Sequence, residues 1–361
     1  MDDDLYAYYI LMNDIDASET RTWNVGDHDR NPETPDSARG FEPVREVMGG
    51  LNGNGHIIKN LYINRPSGWG SALITRGGDK SYIINLGIED CYITGGSNTA
   101  ALIGAAEQLF RIEMCYSTGT IISPVESPEF IAGLIAINSY AKIRECYSRC
   151  EVISNKPIEY QNCIASFCCG ISGAGACYTT GKVSLPENDI IVYPFGTYSN
   201  FGNSSCFWDV ETTGIPENDI FGANGRTTEE MMKQATYEAR GWDFDNIWCI
   251  DEGNDYPKLR VFGDCPTTDV IDNKNKLSLK LFPNPAIKKI NITCINTKHS
   301  YIKIDILNCL GTKIRDIIHS NSYQYYEMHE SHDISDLSSG IYYIRLVSNT
   351  NILVKKFVVI K

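Results

Sequence analysis

Histidines and cysteines are the residues with which this chain could bind a metal, and their spacing does not favour it. His329 and His332 lie three residues apart, whereas a zinc-binding helix needs its two histidines four apart on one face. The 13 cysteines contain no pair of Cys-x2-Cys units, the spacing typical of zinc sites. We predict no metal site from these residues.

Carboxylates give the strongest case for an enzyme. Glu113, Arg144 and Glu145 fall at comparable places of a repeat described below, and a polysaccharide lyase or hydrolase needs paired carboxylates, or calcium beside a cation. The other interpretation is a surface ion pair that contributes little. Four aspartates could collect calcium, although they lack the closing glutamate of an EF-hand: Asp14, Asp16, Asp27 and Asp29. We predict no catalytic residue and no cofactor, with calcium and an enzyme as alternatives.

A repeat of short apolar segments would position these side chains. The segments centre on six residues that we expect to align in one inward ladder: Leu61, Leu86, Cys115, Cys146, Cys177 and Cys206. Their steps are 25, 29, 31, 31 and 29 residues. A unit of this size cannot bury both faces alone, so stacking of coils is required. We predict a right-handed parallel β-helix over about residues 5–226.

Aromatic residues follow the inward ladder at most coils. Strand side chains alternate between the two faces, so we expect these aromatics to point outward and to offer stacking positions for a glycan or a protein. The alternative is that they only stabilise the sheet. The predicted binding residues are Tyr116, Tyr147, Tyr178 and Trp208.

The ordered motifs of this part resemble the GLUG-motif repeat proteins. They include Leu51-Asn52-Gly53-Asn54-Gly55 with the following Ile58-Lys59-Asn60-Leu61, and the Cys-Tyr-Ser-Thr-Gly unit at Cys115–Gly119. The resemblance covers about residues 5–260 and implies a β-solenoid. A capping box at Thr227 and Glu230 predicts a helical cap at about 227–238, closing a domain of residues 1–262. Cys249 and Cys265 flank its end, and we predict a disulfide between them.

Charge separates the two ends of the chain. Residues 276–361 carry a net charge of +6 and residues 1–275 carry −19. The overall charge of −13 argues against nucleic acid as a partner, since phosphate binding needs a basic face. No apolar run is long enough for a transmembrane helix. The acidic start has no basic, apolar leader, so we expect the signal peptide to lie outside this chain. The chain could also be the C-terminal stalk of a larger secreted enzyme.

The last 86 residues follow a polar linker at 263–275 and contain short alternating strands, which predict a small Ig-like β-sandwich. Ordered landmarks here resemble the type A C-terminal sorting domain of the Bacteroidetes type IX secretion system. They are Pro283, Asn284, Pro285, Gly311, Gly340, Lys355 and Lys356. The resemblance implies that the type IX machinery handles residues 276–361 and that the protein is secreted or held at the outer-membrane surface. We therefore predict an all-β, adhesin-like binding or structural protein.

Overall fold

The computed structural model describes residues 4–26, 37–124, 130–155, 163–185, 192–195, 205–217, 223–265, 278–296, 302–320, 326–348 and 352–361. The chain forms two compact units, Met1–Pro266 and Thr267–Lys361. Most of the predicted linker at 263–275 lies outside the described residues.

The first unit is built from short strands with a few helical turns. Its strands are β1 Tyr8–Ile10, β2 Ile15–Asp16, β3 Val25–Gly26, β4 Ser37–Ala38, β5 Val44–Val47, β6 Gly50–Lys59, β7 Tyr62–Trp69, β8 Ile74–Gly77, β9 Tyr82–Ser97, β10 Ile103–Ala106, β11 Arg111–Glu113, β12 Tyr116–Ser123, β13 Phe130–Ala132, β14 Ile135–Arg144, β15 Tyr147–Ser154, β16 Cys163–Gly175, β17 Tyr178–Thr179, β18 Val183–Ser184, β19 Tyr193–Phe195, β20 Phe207–Asp209, β21 Asn224–Arg226, β22 Trp248–Cys249 and β23 Lys258–Leu259. The α-helices are α1 Val210–Thr213, α2 Thr228–Met231 and α3 Gln234–Glu238, and 3-10 turns span Ser18–Thr22 and Arg260–Phe262.

Nineteen of these strands form a parallel β-solenoid of about four turns. Each strand pairs in parallel with the strand one coil away, as β12 does with β9 on one side and β15 on the other. Tyr116 thus lies beside Tyr147, and Tyr147 beside Tyr178. Equivalent side chains of successive coils therefore stack in straight columns, because neighbouring strands lie about 4.8 Å apart.

Tight corners between strands repeat from coil to coil. Met114, Glu145 and Ala176 all have positive φ angles, between 50° and 52°, and each immediately precedes a buried cysteine. Residues with a Cβ adopt this left-handed conformation at a cost of about 1 kcal/mol. Stacking of the coils therefore imposes a corner that the local sequence does not favour.

The predicted inward ladder is buried throughout, but Leu61 belongs to a different column. Leu86 aligns with Cys115, and its partner in the preceding coil is His56. Leu61 instead aligns with Cys91, since Tyr62 pairs with Tyr92. From His56 onward the chain pairs with residues 30 positions later, as His56 does with Leu86 and Tyr62 with Tyr92, so the partner of Leu61 lies five residues beyond Leu86.

Residues 227–265, which we call the covering segment, pack on one outer face of the solenoid. The predicted capping box is confirmed: Thr227 Oγ1 accepts from the Glu230 backbone N–H, and the Glu230 carboxylate accepts from the Thr227 backbone N–H. Met231 and Tyr237 pack with Phe207 and Tyr178. The helices thus cover a side of the solenoid, where we expected a cap on its open end.

The predicted disulfide between Cys249 and Cys265 is confirmed. It joins β22 to the end of the covering segment, and β22 pairs antiparallel with β23. The other 11 cysteines are free thiols, and all of them except Cys309 are buried. They serve as small core side chains, as expected for buried cysteine.

The second unit has its own core between two antiparallel sheets. Its strands are β24 Ser278–Phe282, β25 Lys289–Asn296, β26 Ile302–Leu307, β27 Lys313–Ser320, β28 Tyr326–Asp333, β29 Gly340–Ser348 and β30 Ile352–Val359. The sheet orders are β24-β25-β28 and β27-β26-β29-β30. Apolar residues of both sheets, including Ile292, Ile304 and Phe357, form one buried cluster. Their alternation along the strands puts one face of each sheet inward.

Candidate functional site

The tyrosine column that we predicted as a binding face is buried. The Tyr116 and Tyr147 rings stack with centroids 4.8 Å apart, and Tyr147 and Tyr178 follow at 4.9 Å. All three residues are at most 6% exposed, because Phe262, Trp248 and other side chains of the covering segment lie against them. The tyrosine side chains do point outward from the coil, as predicted. Their rings contact one another and the covering segment, so they are not accessible to a ligand.

Trp208 is also buried, on the opposite side of its strand. It is fully inaccessible and belongs to the inner core of the solenoid, where its Nε1 donates a hydrogen bond to the Ile215 carbonyl oxygen at 3.0 Å. The expectation of an exposed stacking position at Trp208 is therefore corrected. Alternation along the strand explains this inward direction, since the preceding Phe207 faces outward.

Arg149 fastens the covering segment to the tyrosine column. Its Nη1 donates to Asp255 Oδ1 at 3.0 Å, and its Nη2 donates to the Tyr178 hydroxyl at 2.7 Å. The guanidinium carbon also lies 5.2 Å from the ring centroids of Tyr147 and Tyr256, a cation–π arrangement. The Tyr178 hydroxyl in turn donates to the Pro257 carbonyl oxygen at 2.7 Å. Arg149 thus stabilises packing within the first unit.

A small cleft of about 180 Å³ remains between the column and the covering segment. Two of its charged side chains, Glu89 and Lys258, are already paired: the Tyr116 hydroxyl donates to Glu89 at 2.5 Å, and Lys258 lies 3.0 Å from Asp255. Pockets that enclose drug-sized ligands measure roughly 300–1,000 Å³. The cleft has no room for more than a small ligand. Its lining residues are Glu89, Tyr116, Thr118, Tyr147, Arg149, Lys258, Leu259, Phe262 and Asp264.

The residues of the enzymatic alternative do come together. Glu113 lies opposite Arg144 in the register of β11 and β14, and Glu113 forms an ion pair with Arg111 at 3.2 Å. Burial, together with the nearby Cys177 and Glu113, raises the pKa of Glu145 to about 7. This range suits a general acid or base.

The calcium candidates are engaged in local hydrogen bonds. Asp14 Oδ1 accepts from the Ile57 backbone N–H at 3.1 Å, and this bond lowers the pKa of the Asp14 carboxyl. Asp16 Oδ1 accepts from Asn60 Nδ2 at 3.0 Å. Asp27 and Asp29 lie outside the described residues. In the part of the chain that the structure describes, no three His, Cys, Asp or Glu side chains form a group that could hold a metal ion.

An exposed column on another face of the solenoid was missed by the sequence analysis. It contains Tyr8, Tyr82, Arg111 and Lys142, which fall in line through the pairings of β1, β6, β9, β11 and β14. The spacings of 29 residues from Tyr82 to Arg111 and 31 from Arg111 to Lys142 match those of the cysteine ladder. This spacing alone could have predicted the column from the sequence, because the residue types differ from coil to coil.

The predicted sorting landmarks surround the final strand of the second unit. Asn284, between Pro283 and Pro285, donates through Nδ2 to the Lys356 carbonyl oxygen at 3.2 Å. Its Oδ1 accepts from the Val358 backbone N–H at 2.9 Å. The Pro-Asn-Pro segment therefore pairs with β30 along the chain terminus.

The remaining landmarks serve turns and sheet contacts. Gly311 has a φ of +80° between β26 and β27, a conformation that glycine adopts without strain. Gly340 opens β29, and Lys355 donates through Nζ to the Leu279 carbonyl oxygen at 3.1 Å. Lys355 thus joins the two sheets, and both Lys355 and Lys356 are exposed.

His329 and His332 lie on strand β28. Burial lowers the pKa of His332. This segment is a strand, whereas the zinc-protease motif is helical.

The sorting landmarks between Pro283 and Lys356 fall within a match to a known protein family. Residues 280–361 match the secretion system C-terminal sorting domain. This type IX tail implies that the secretion machinery handles the protein and that it is secreted or located at the cell surface. Among the described residues, no helix is long and apolar enough to cross a membrane.

Three known proteins are similar to this chain over part of its length. Halomucin of Haloquadratum walsbyi is 34% identical over 151 residues, 41% of this chain and 2% of halomucin. A candidate Gly-rich membrane protein of Evansella cellulosilytica is 39% identical over 62 residues, 17% of this chain and 7% of that protein. The chain thus spans a small part of these relatives. A candidate immunoglobulin A1 protease from Bacteroides ovatus, solved as a crystal structure, has a TM-score of 0.46 and 14% identity over 71% of this chain and 86% of its own.

Proposed function

We propose that this chain is an adhesin-like binding or structural protein that the type IX system of a Bacteroidetes bacterium exports. In this proposal residues 1–262 are a right-handed GLUG-type solenoid for display, and residues 276–361 are an Ig-like type A sorting domain. The match of residues 280–361 to a sorting domain carries the proposal. The parallel strands of the first unit align outward side chains of successive coils in long rows, and such an extended surface supports a role in display and binding.

An export experiment tests the proposal. The full chain, supplied with a signal peptide, is expressed in a Bacteroidetes host beside a version that lacks residues 276–361. We expect the full chain at the surface or in the medium, and the truncated chain in the periplasm. A reporter fused to residues 276–361 should be exported. Normal export of the truncated chain would refute the sorting role.

A polysaccharide lyase or hydrolase is the second candidate, favoured by the raised pKa of Glu145 beside Glu113. Incubation of the full chain with pectin, alginate, mucin and glycosaminoglycans, with and without calcium, separates the two candidates. We expect no release of reducing ends. Product formation that disappears in Glu145→Gln or Glu113→Gln, while the fold is kept, would establish the enzyme instead.

A further inference from the structure

One outer column of the solenoid is not covered by the covering segment. Gly50 pairs with Tyr8 in one direction and Tyr82 in the other, and the line continues through Arg111 to Lys142. Side chains alternate between the two faces of a strand. The residues that directly follow Tyr82, Arg111 and Lys142 are fully buried, so the column itself faces outward: Ile83, Ile112 and Ile143. A straight row of outward side chains thus crosses five strands.

The end of this column nearest the N-terminus is aromatic and consists of Tyr8 and Tyr82. The Tyr8 and Tyr82 rings lie 6.0 Å apart and are tilted by 33°, and Tyr8 is 66% exposed. A side chain at Gly50 would place its Cβ 2.4 Å from the Tyr82 ring. Glycine at this position therefore allows the Tyr82 ring to lie across the strand between the two tyrosines.

The other end of the column, on strands β11 and β14, is cationic. The Arg111 guanidinium lies 5.8 Å from the Tyr82 ring centroid and also pairs with Glu113 at 3.2 Å. Lys142 and Arg144 are exposed on the adjoining strand β14, and neither takes part in an ion pair within the described residues. Residues 1–275 have a net charge of −19, so an uncovered group of cations beside tyrosines is a local reversal of charge.

We propose that this column binds an anionic polysaccharide, with sugar rings against Tyr8 and Tyr82 and carboxylate or sulfate groups at Lys142 and Arg144. Aromatic side chains present an apolar face and a polar edge that suit sugars. Cationic side chains form the stronger, charge-assisted hydrogen bonds to such anions. The proposal rests on the proposed binding function and names its surface and its ligand class.

Binding of the full chain to immobilised chondroitin sulfate, with unsulfated chondroitin and neutral dextran beside it, tests this site. We expect binding to both charged polymers, weaker at higher salt, and none to dextran. The double variant Lys142→Glu/Arg144→Glu should weaken binding by about tenfold or more, since two exposed charge contacts are reversed. Tyr8→Ala should weaken binding to a smaller extent.

Lys182→Glu is the matched control, because Lys182 is an exposed lysine of the same solenoid on another column. Unchanged binding in this variant, with unchanged melting temperatures throughout, supports the site. Equal loss in Lys182→Glu, equal binding to dextran, or no binding to any polymer would overturn it. Export in the type IX assay is independent of these outcomes, so a failure here is distinguishable from a failure of the sorting role.

Discussion

Glu145 combines two unfavourable features at a single residue. Its backbone adopts a φ of +50° at a corner of the solenoid, and its carboxyl group is partly buried near Glu113. Burial and neighbouring charge raise its pKa from 4.5 to about 7. The folded protein therefore keeps a proton on Glu145 between these pH values, where the unfolded chain has lost it.

Replacement of Glu145 by glutamine should stabilise the protein at high pH. A raised carboxyl pKa gives stability that is fully present below pH 4.5 and is lost as the pH rises through about 7. Relative to wild type, Glu145→Gln should be neutral near pH 4 and more stable by about 3 kcal/mol at pH 8. Urea unfolding across this pH range measures the difference.

A second variant checks the origin of this pH dependence. Glu113 is one of the groups that raise the pKa of Glu145, so Glu113→Gln should move the loss of stability to lower pH. A constant difference between wild type and Glu145→Gln at all pH values would contradict a raised pKa at this residue.

The covering segment is the element that decides which face of the solenoid is accessible. Trp242, Trp248, Tyr256 and Phe262 contact the tyrosine column, and Trp242 Nε1 donates to the Ser205 carbonyl oxygen at 2.8 Å. The Cys249–Cys265 disulfide closes part of this segment. Arg149 supplies its polar attachment, since the guanidinium reaches from β15 to Asp255.

Arg149→Ala should destabilise the first unit by about 2–4 kcal/mol, because it leaves Asp255 and the Tyr178 hydroxyl without their buried cation. Lys258→Ala is the matched control: Lys258 pairs with the same Asp255 at 3.0 Å from a more exposed position, and should cost less than about 1 kcal/mol. Chemical unfolding and limited proteolysis of residues 227–265 measure both. Equal losses would show that Arg149 does not anchor the segment.

At the scale of the whole molecule, each of the two units has its own core. The solenoid cluster and the cluster of the second unit contain different residues, and the net charge changes sign near residue 275. A compact unit with its own core can in principle fold alone. The proposed function thus assigns delivery and display to different parts of the chain.

Removal of residues 276–361 should leave the stability of the first unit within about ±0.5 kcal/mol, the range typical of surface changes. Calorimetry of the truncated and full chains should show the same transition for the solenoid, and a separate transition for the second unit in the full chain only. A solenoid transition that shifts by several degrees on truncation would indicate that the units depend on each other for folding.

The sequence by itself determined features that depend on spacing and local chemistry. The steps of 29–31 residues between Leu86 and Cys206 required stacked coils, because no single coil can bury both faces. The Thr227–Glu230 capping box depends on residues three apart. The sorting landmarks occur in the same order as in the sorting domains that they resemble, and residues 280–361 match the secretion system C-terminal sorting domain.

Tertiary structure alone decided register and accessibility. The first step of 25 residues placed Leu61 with Leu86, but this part of the chain pairs with residues 30 positions later and so aligns Leu61 with Cys91, since pairing follows the backbone and not the residue type. Alternation correctly put Tyr116 on the outer face, yet it carries no information on what packs there. The covering segment comes from residues about 110–150 positions after Tyr116, and contacts over such a distance leave no local pattern in the sequence. Because this segment covers the tyrosine column, the accessible column is the one that contains Tyr82 and Lys142.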